Sequence, residues 1–212
     1  MLSPKEISGL YFTKEVMEAV IPRVPGSVLD FGACQGRYKH LFIKRGAIYT
    51  SFDLQSGADI VGDILDPPAS LLSRQFDTVI SNQVLEHVRQ PWVLVQNMAR
   101  LTKKGGLCIL TAPFMVPFHP DPGDYFRYTE QGIRSLFEDA GLEVELCTPY
   151  GGLFSSLGET LKQKWFSPYT GHPLPHWKRF LRGWMERVCR LLNRVCLPGI
   201  VYANVVCIAK KP

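Results

Sequence analysis

A doubly wound α/β domain, with a mostly parallel sheet between helices on both faces, is what this sequence predicts. Three observations carry that expectation. Strand-like runs alternate with helix-like ones along the chain. Those strands are almost continuously apolar, as when both faces of a sheet are covered. The first of them leads directly into a glycine turn and a helical pattern, "VLDFGACQGRYKHLF" at 28–42.

In chain order the strand-like runs are "SVLDF" (27–31), "IYTSFD" (48–53), a short third strand leading into "VGDIL" (61–65), "FDTVIS" (76–81), "GLCILTA" (106–112), "LEVELCT" (142–148) and "YANVVCIAKK" (202–211). Helical patterns fall near 36–45, 84–101 and 130–140. The last is clearly punctuated, with Thr129 as N-cap, Ile133, Leu136 and Phe137 as its apolar stripe, and Gly141 at the C′ position. After Thr148 the rhythm changes, and 149–201 reads as a helical insertion before the last strand. Its segment "WFSPYTGHPLPHW" (165–177) is too rich in proline for a helix. From Trp177 apolar residues recur at 180, 181, 184, 185, 188, 191, 192 and 195, the spacing of an amphipathic helix.

The chain has 212 residues, enough for a single domain spanning 1–212 with its own core, and its 46% hydrophobic and 20% charged content is that of a globular protein. The formal charge of +5 is concentrated: between Trp177 and Leu197 lie six basic residues (Lys178, Arg179, Arg182, Arg187, Arg190, Arg194) against Glu186 alone. The rest is formally neutral, which disfavours a nucleic-acid-binding face, where basic residues would spread broadly. The six cysteines form no CxxC pair, so reduced thiols are expected. The opening "MLSPKEISGL" lacks the pattern of a signal peptide, and no apolar run is long enough to span a bilayer. The expected location is cytoplasmic, with peripheral contact at the inner membrane surface through 177–197 as an option.

A strand stopping at "LDFG" before a helix brings backbone N–H groups to a point where a polar or anionic ligand group is welcome. Three occupants compete: a dinucleotide, a nucleoside cofactor without pyrophosphate, or nothing beyond a tight connection. The dinucleotide fingerprint needs G-x-G-x-x-G, and Cys34 and Arg37 stand at its second and third glycine positions. The spacing Gly32-x-x-x-Gly36 instead resembles motif I, D-x-G-x-G-x-G, of class I S-adenosylmethionine-dependent methyltransferases, with Asp30, Gly32 and Gly36 matching and Cys34 departing. The segments "FDTVISNQVLEHV" (76–88) and "LTKKGGLCILTAP" (101–113) resemble the same family's fourth-strand signature and its approach to the fifth strand. The resemblance covers about 26–148 plus the last strand. It implies a seven-stranded Rossmann-like methyltransferase fold with S-adenosyl-L-methionine as cofactor. The cofactor-binding residues it implies are Asp30, Gly32, Ala33, Gly36, Asp53, Leu54, Asp63, Ile64, Asn82 and Gln83. Asp53 would accept the ribose hydroxyls, Asp63 the adenine amino group, and Ile64 would lie against the ring.

The loop "APFMVPFHPDPGDYFRYT" (112–129) resembles a segment of small bacterial methyltransferases of this group, and in that architecture it hangs over the cofactor's methyl end. His119 is the candidate general base, since an imidazole titrates near neutral pH. Tyr125 and Arg127 are the candidates for orienting substrate, Arg127 suiting a carboxylate or phosphate. The competing assignment is an Asp124–Arg127 brace within a stiff turn, and for His87 a structural role. His172 and His176 are four apart, but Pro173 and Pro175 exclude the helix that would align them on a metal, and no metal ligands are assigned. The segment after the fourth strand reads "SNQV" where adenine and glutamine methyltransferases carry N/D-P-P-Y, which disfavours base methylation. The expected function is methyl transfer to a small, hydrophobic or lipid-linked acceptor, oxygen being the favoured atom. The alternative is a non-catalytic protein of the same fold acting as a membrane-attached or partner-binding module. For the basic helix the favoured expectation is a cap that buries its apolar stripe on the domain.

Overall fold

Seven strands form one sheet in the order β3-β2-β1-β4-β5-β7-β6. In the computed structural model, which describes residues 3–21, 26–34, 36–119, 122–166, 175–195 and 201–212, they are β1 (Ser27–Phe31), β2 (Ile48–Asp53), β3 (Ile60–Val61), β4 (Phe76–Asn82), β5 (Thr102–Pro113), β6 (Glu143–Gly152) and β7 (Tyr202–Lys210). The helices are α1 (Pro4–Ser8), α2 (Thr13–Val20), α3 (Lys39–Ile43), α4 (Ala69–Leu72), α5 (Pro91–Leu101), α6 (Glu130–Asp139), α7 (Leu153–Phe166) and α8 (His176–Val195). Strand β1 pairs in parallel with β2 and β4, and β4 with β5. Strand β7 runs antiparallel to both β5 and β6.

Successive side chains of a strand leave by opposite faces, and the core divides accordingly. Leu29, Val79 and Leu110 join Leu94, Met98, Ile133 and Phe137 from α5 and α6. Val28, Ile80 and Ile109 join Ile7, Met17 and Phe42 from α1, α2 and α3. Both faces are thus covered, which is why the strands read as unbroken apolar runs.

Several boundaries depart from expectation. The pattern at 84–101 is two elements: a 3-10 turn at Leu85–His87, then α5, which starts at Pro91 where the missing N–H costs nothing. Strand β5 begins at Thr102, which pairs with Phe76, while Gly105 N donates to Lys211 O. Strand β6 runs on to Gly152, so the insertion begins at Leu153 rather than 149. Residues 151–157 form the end of β6 and the start of α7, and both ends of the 165–177 segment, expected to be non-helical, are helical. Residues 167–174 of that segment, His172 among them, lie outside the described residues. Helices α1 and α2 have no counterpart in the sequence prediction.

Helix α8 docks by its polar side. Cys189 and Asn193, four apart, are its buried residues among those whose burial is described, and a Cβ on Gly158 of α7 would meet Cys189 Cβ at 3.6 Å. Arg190 continues the seam, its guanidinium 4.8 Å above the Phe12 ring and paired with Glu15 of α2. The stripe expected to be buried faces outward, with Phe180 74% and Trp177 63% exposed. Arg190→Ala should loosen this seam by about 1 kcal/mol, the sum of a half-exposed ion pair and a cation–π contact. Limited proteolysis is the check: cleavage within α8 should accelerate several-fold in the variant.

Candidate functional site

The C-terminal ends of β1, β2 and β4 meet at the glycine turn. Gly32 N and Ala33 N both donate to Phe52 O, at 2.9 and 3.2 Å. One residue on, Cys34 N donates to Asp53 Oδ2 at 2.7 Å, and Asp53 Oδ1 accepts from Gln55 N at 2.9 Å. Gly32 sits at φ +90°, and a Cβ there would stand 2.6 Å from Val84 Cγ2, so glycine is required twice over. Gly36 follows at φ +65°. Cys34 occupies the left-handed region at φ +49° without being glycine, a strain of roughly 1–2 kcal/mol that the Asp53 hydrogen bond holds in place.

Around this turn the implied cofactor residues gather. Asp30 is buried, its carboxylate accepting from the Tyr49 hydroxyl at 2.6 Å. Ile64 Cδ1 lies close to Gly32, 3.3 Å from where its Cβ would stand. Asp63 is exposed, with Oδ1 accepting from Leu65 N at 2.8 Å. Leu54 is 66% exposed beside Asp53. At the end of β4, Asn82 Oδ1 accepts from the Thr111 hydroxyl while its buried Nδ2 has no hydrogen-bond partner. Gln83 adopts φ +53°, its N–H donating to Thr111 O at 2.9 Å.

Gln83 also lines a cavity of about 540 Å³ that the sequence did not disclose. Its walls come from the α1–α2 region (Tyr11, Lys14), the residues entering α3 (Arg37, His40), the loop after β5 (Val116) and α7 (Glu159, Lys162). Lys162 Nζ donates to Glu159 at 2.6 Å. Lys14 and Arg37 therefore leave the cavity with a cationic balance. No sequence signal marks these residues as a group, because widely separated segments supply them.

In the loop after β5 the structure has the Asp124–Arg127 pairing of the competing assignment. Arg127 is a brace: Nε donates to Val116 O at 3.1 Å, the two terminal nitrogens donate to Phe126 O and Pro117 O, and both also pair with Asp124. All five donors are committed, so a substrate anion would have to displace Asp124. Asp124 also accepts from His119 N at 2.9 Å, and the Arg127 guanidinium holds its carboxyl down at about 2. Tyr125 is half-exposed, with the Arg89 guanidinium 5.1 Å above its ring. His119 is absent from the cavity walls. Its Nδ1 bonds Pro117 O at 2.8 Å, and its Nε2 faces Glu86 Oε1 at 3.8 Å. His87 faces the same oxygen at 3.7 Å, with its Nδ1 on Gly123 O. The Glu86 carboxylate facing it raises the His119 imidazole above its ordinary range, against the opposing effect of partial burial. Glu86 is not among the residues the sequence singles out; its signal is the adjacent Glu-His pair in "LEHV", directly after a strand that ends at a ligand crevice.

A family model described as a methyltransferase domain matches residues 10–146. A curated relative from Mycobacterium sp., an uncharacterized methyltransferase, is 29% identical over 109 residues, covering 46% of this chain and 43% of that protein. The chain thus spans less than half the length of that relative. Among solved structures, a SAM-dependent methyltransferase from Archaeoglobus fulgidus superposes with TM-score 0.61 at 15% identity, covering 93% of this chain and 92% of that one. The cyclase SpnF superposes with TM-score 0.59 at 16% identity, covering 94% and 79%. At these identities the superpositions establish the fold.

Burial lifts the Asp30 carboxyl to about 6, with the Tyr49 hydroxyl pulling downward and Asp53 adding to the rise. Between the ordinary aspartate range near 4 and that value, the native chain keeps a proton that the unfolded chain has released. Stability should therefore fall as pH rises from about 4 to about 6, by up to about 3 kcal/mol, and then level off. Urea unfolding at a series of pH values, with Asp30→Asn as the reference, reads this directly: the difference between the two proteins should shrink as pH is lowered through that window.

Proposed function

The chain belongs to the methyltransferase domain family, and from that premise we propose that it transfers a methyl group from S-adenosyl-L-methionine to a small, hydrophobic or lipid-linked acceptor, at oxygen. The observation that carries the reading is the gathering of Asp53, Asp63, Ile64, Asn82 and Gln83 around one glycine turn at the C-terminal edge of the sheet. Their chemistry suits that cofactor. Asp53 keeps accepting capacity on both oxygens after its two backbone bonds, Asp63 has an oxygen turned to solvent, and the buried Asn82 Nδ2 is a donor in need of an acceptor. The cofactor supplies a methyl on a sulfonium, already a good leaving group. What the chain must add is a desolvated acceptor held in line.

The 540 Å³ cavity beside Gln83 is the natural seat for that acceptor. Lys14, Arg37 and His40 on its wall suit an acceptor bearing a carboxylate or phosphate. The lipid-linked part of the reading rests on α8: Trp177, Phe180, Trp184 and Leu191 are exposed, flanked by Lys178, Arg179 and Arg187. An outward apolar stripe with basic flanks fits an anionic membrane surface. No helix among the described residues is long and apolar enough to cross a membrane.

Two measurements test the reading. In calorimetric titration with S-adenosylhomocysteine, Asp63→Ala should weaken binding at least tenfold while leaving the melting temperature unchanged. No binding by the wild type at millimolar ligand would sink the methyl-transfer reading in favour of a non-catalytic module. In flotation assays, vesicles of phosphatidylglycerol and phosphatidylcholine should carry the protein upward in low salt, whereas phosphatidylcholine alone should not. Phe180→Glu combined with Trp184→Glu should abolish flotation; an unaffected double variant would refute the membrane contact.

A further inference from the structure

Glu86 is fully buried, and neither carboxylate oxygen has a hydrogen-bond partner. A charge in that position is costly unless a cation compensates it. The nearest cationic side chain on the packed loop, Arg127, is already committed to Asp124. What faces Glu86 instead is a pair of imidazoles from different segments, His87 in the turn after β4 and His119 in the loop after β5, their rings edge to face with centroids 5.1 Å apart.

The second ring nitrogens fix which atoms point inward. His87 Nδ1 meets the carbonyl of Gly123, and His119 Nδ1 meets the carbonyl of Pro117 at 2.8 Å. A carbonyl only accepts, so each Nδ1 carries a proton, and each ring in its neutral form turns the lone pair of Nε2 toward Glu86 Oε1, at 3.7 and 3.8 Å. With both rings neutral, as a metal requires, three electron-pair donors converge. The spacing is too long for an imidazolium–carboxylate hydrogen bond, which would close to about 2.8 Å. It is close to the roughly 3.4 Å edge of a tetrahedron with metal bonds of about 2.1 Å. All three donor atoms lie within 4.8 Å of one another. The backbone carbonyls holding the two Nδ1 protons are the outer partners that metal-bound histidines ordinarily have.

We propose that Glu86, His87 and His119 form a binding site for one divalent transition-metal cation of the zinc type, held by two nitrogens and one carboxylate oxygen with a coordination position left open. In this arrangement His119 is a ligand, not the proton acceptor that the sequence suggests, and the expectation of a chain without metal ligands gives way. Three protein ligands with an open fourth place is the pattern of zinc sites that polarise a bound oxygen.

Metal uptake can be read without the cofactor, which keeps its test separate from that of methyl transfer. Protein stripped with a chelator and dialysed is titrated with zinc chloride alone in a calorimeter. The wild type should take up one equivalent, and His87→Ala and His119→Ala should each weaken uptake at least tenfold. Cobalt(II) in place of zinc should give the visible absorption of a four- or five-coordinate ion, lost in His119→Ala. His119 is partly exposed, so its variant should keep the wild-type melting temperature of the stripped protein; Glu86→Gln gives a further variant that keeps the buried side chain's volume. Absence of saturable zinc uptake by the wild type would overturn the proposal, as would one-equivalent uptake unchanged in all three variants. S-adenosylhomocysteine titration of the same stripped preparation reads the methyl-transfer proposal separately, so either can fail alone.

Discussion

The turn after β1 hangs from the end of β2. Parallel pairing puts Phe31 opposite Phe52, so the next N–H groups, of Gly32 and Ala33, meet the Phe52 carbonyl, and the Cys34 N–H meets the Asp53 carboxylate. These three bonds hold Cys34 in the left-handed region and set the angle at which the chain enters α3. Gly32 in turn leaves room for Val84, which a side chain there would strike, and Val84 introduces the turn bearing Glu86 and His87. The geometry of the whole C-terminal edge thus propagates from one carboxylate and one carbonyl at the tip of β2.

Helix α8 inverts the usual logic of an amphipathic helix. Its docking side holds Cys189 and Asn193, small or polar groups that allow close approach to α7, where Gly158 removes a side chain from the contact. The large apolar residues are left facing outward. A solvent-exposed stripe of this size is normally a contact surface, and here it runs along the outer side of the insertion whose inner helix, α7, lines the cavity.

The strands were legible because a sheet covered on both faces favours apolar residues at most positions, with small polar ones between them: β1 and β2 have the ends their sequences imply. Misplaced boundaries have local causes. The pattern at 84–101 merges two elements because apolar spacing continues through the break before Pro91. Strand β5 starts early because residues 102–105 pair through backbone rather than apolar side chains. Helix α7 has no bounds of its own in the sequence because Gly151, Gly152, Ser155 and Ser156 break the apolar periodicity at its start, although the serines are buried. The glycine turn and its acids follow a local spacing and could be read directly. The Glu86, His87 and His119 cluster could not, since its members are brought together only when the loop after β5 folds back over the turn after β4.

Strand β7 runs against both its neighbours, so β6 ends and β7 begins at the same edge of the sheet, the edge that carries the glycine turn. The α7–α8 excursion must leave and re-enter there, whatever its length. Substitution, lengthening or exchange of this segment would therefore remodel the wall that α7 gives the cavity while the seven strands and the turn stay as they are. The reversed strand makes that wall a replaceable part.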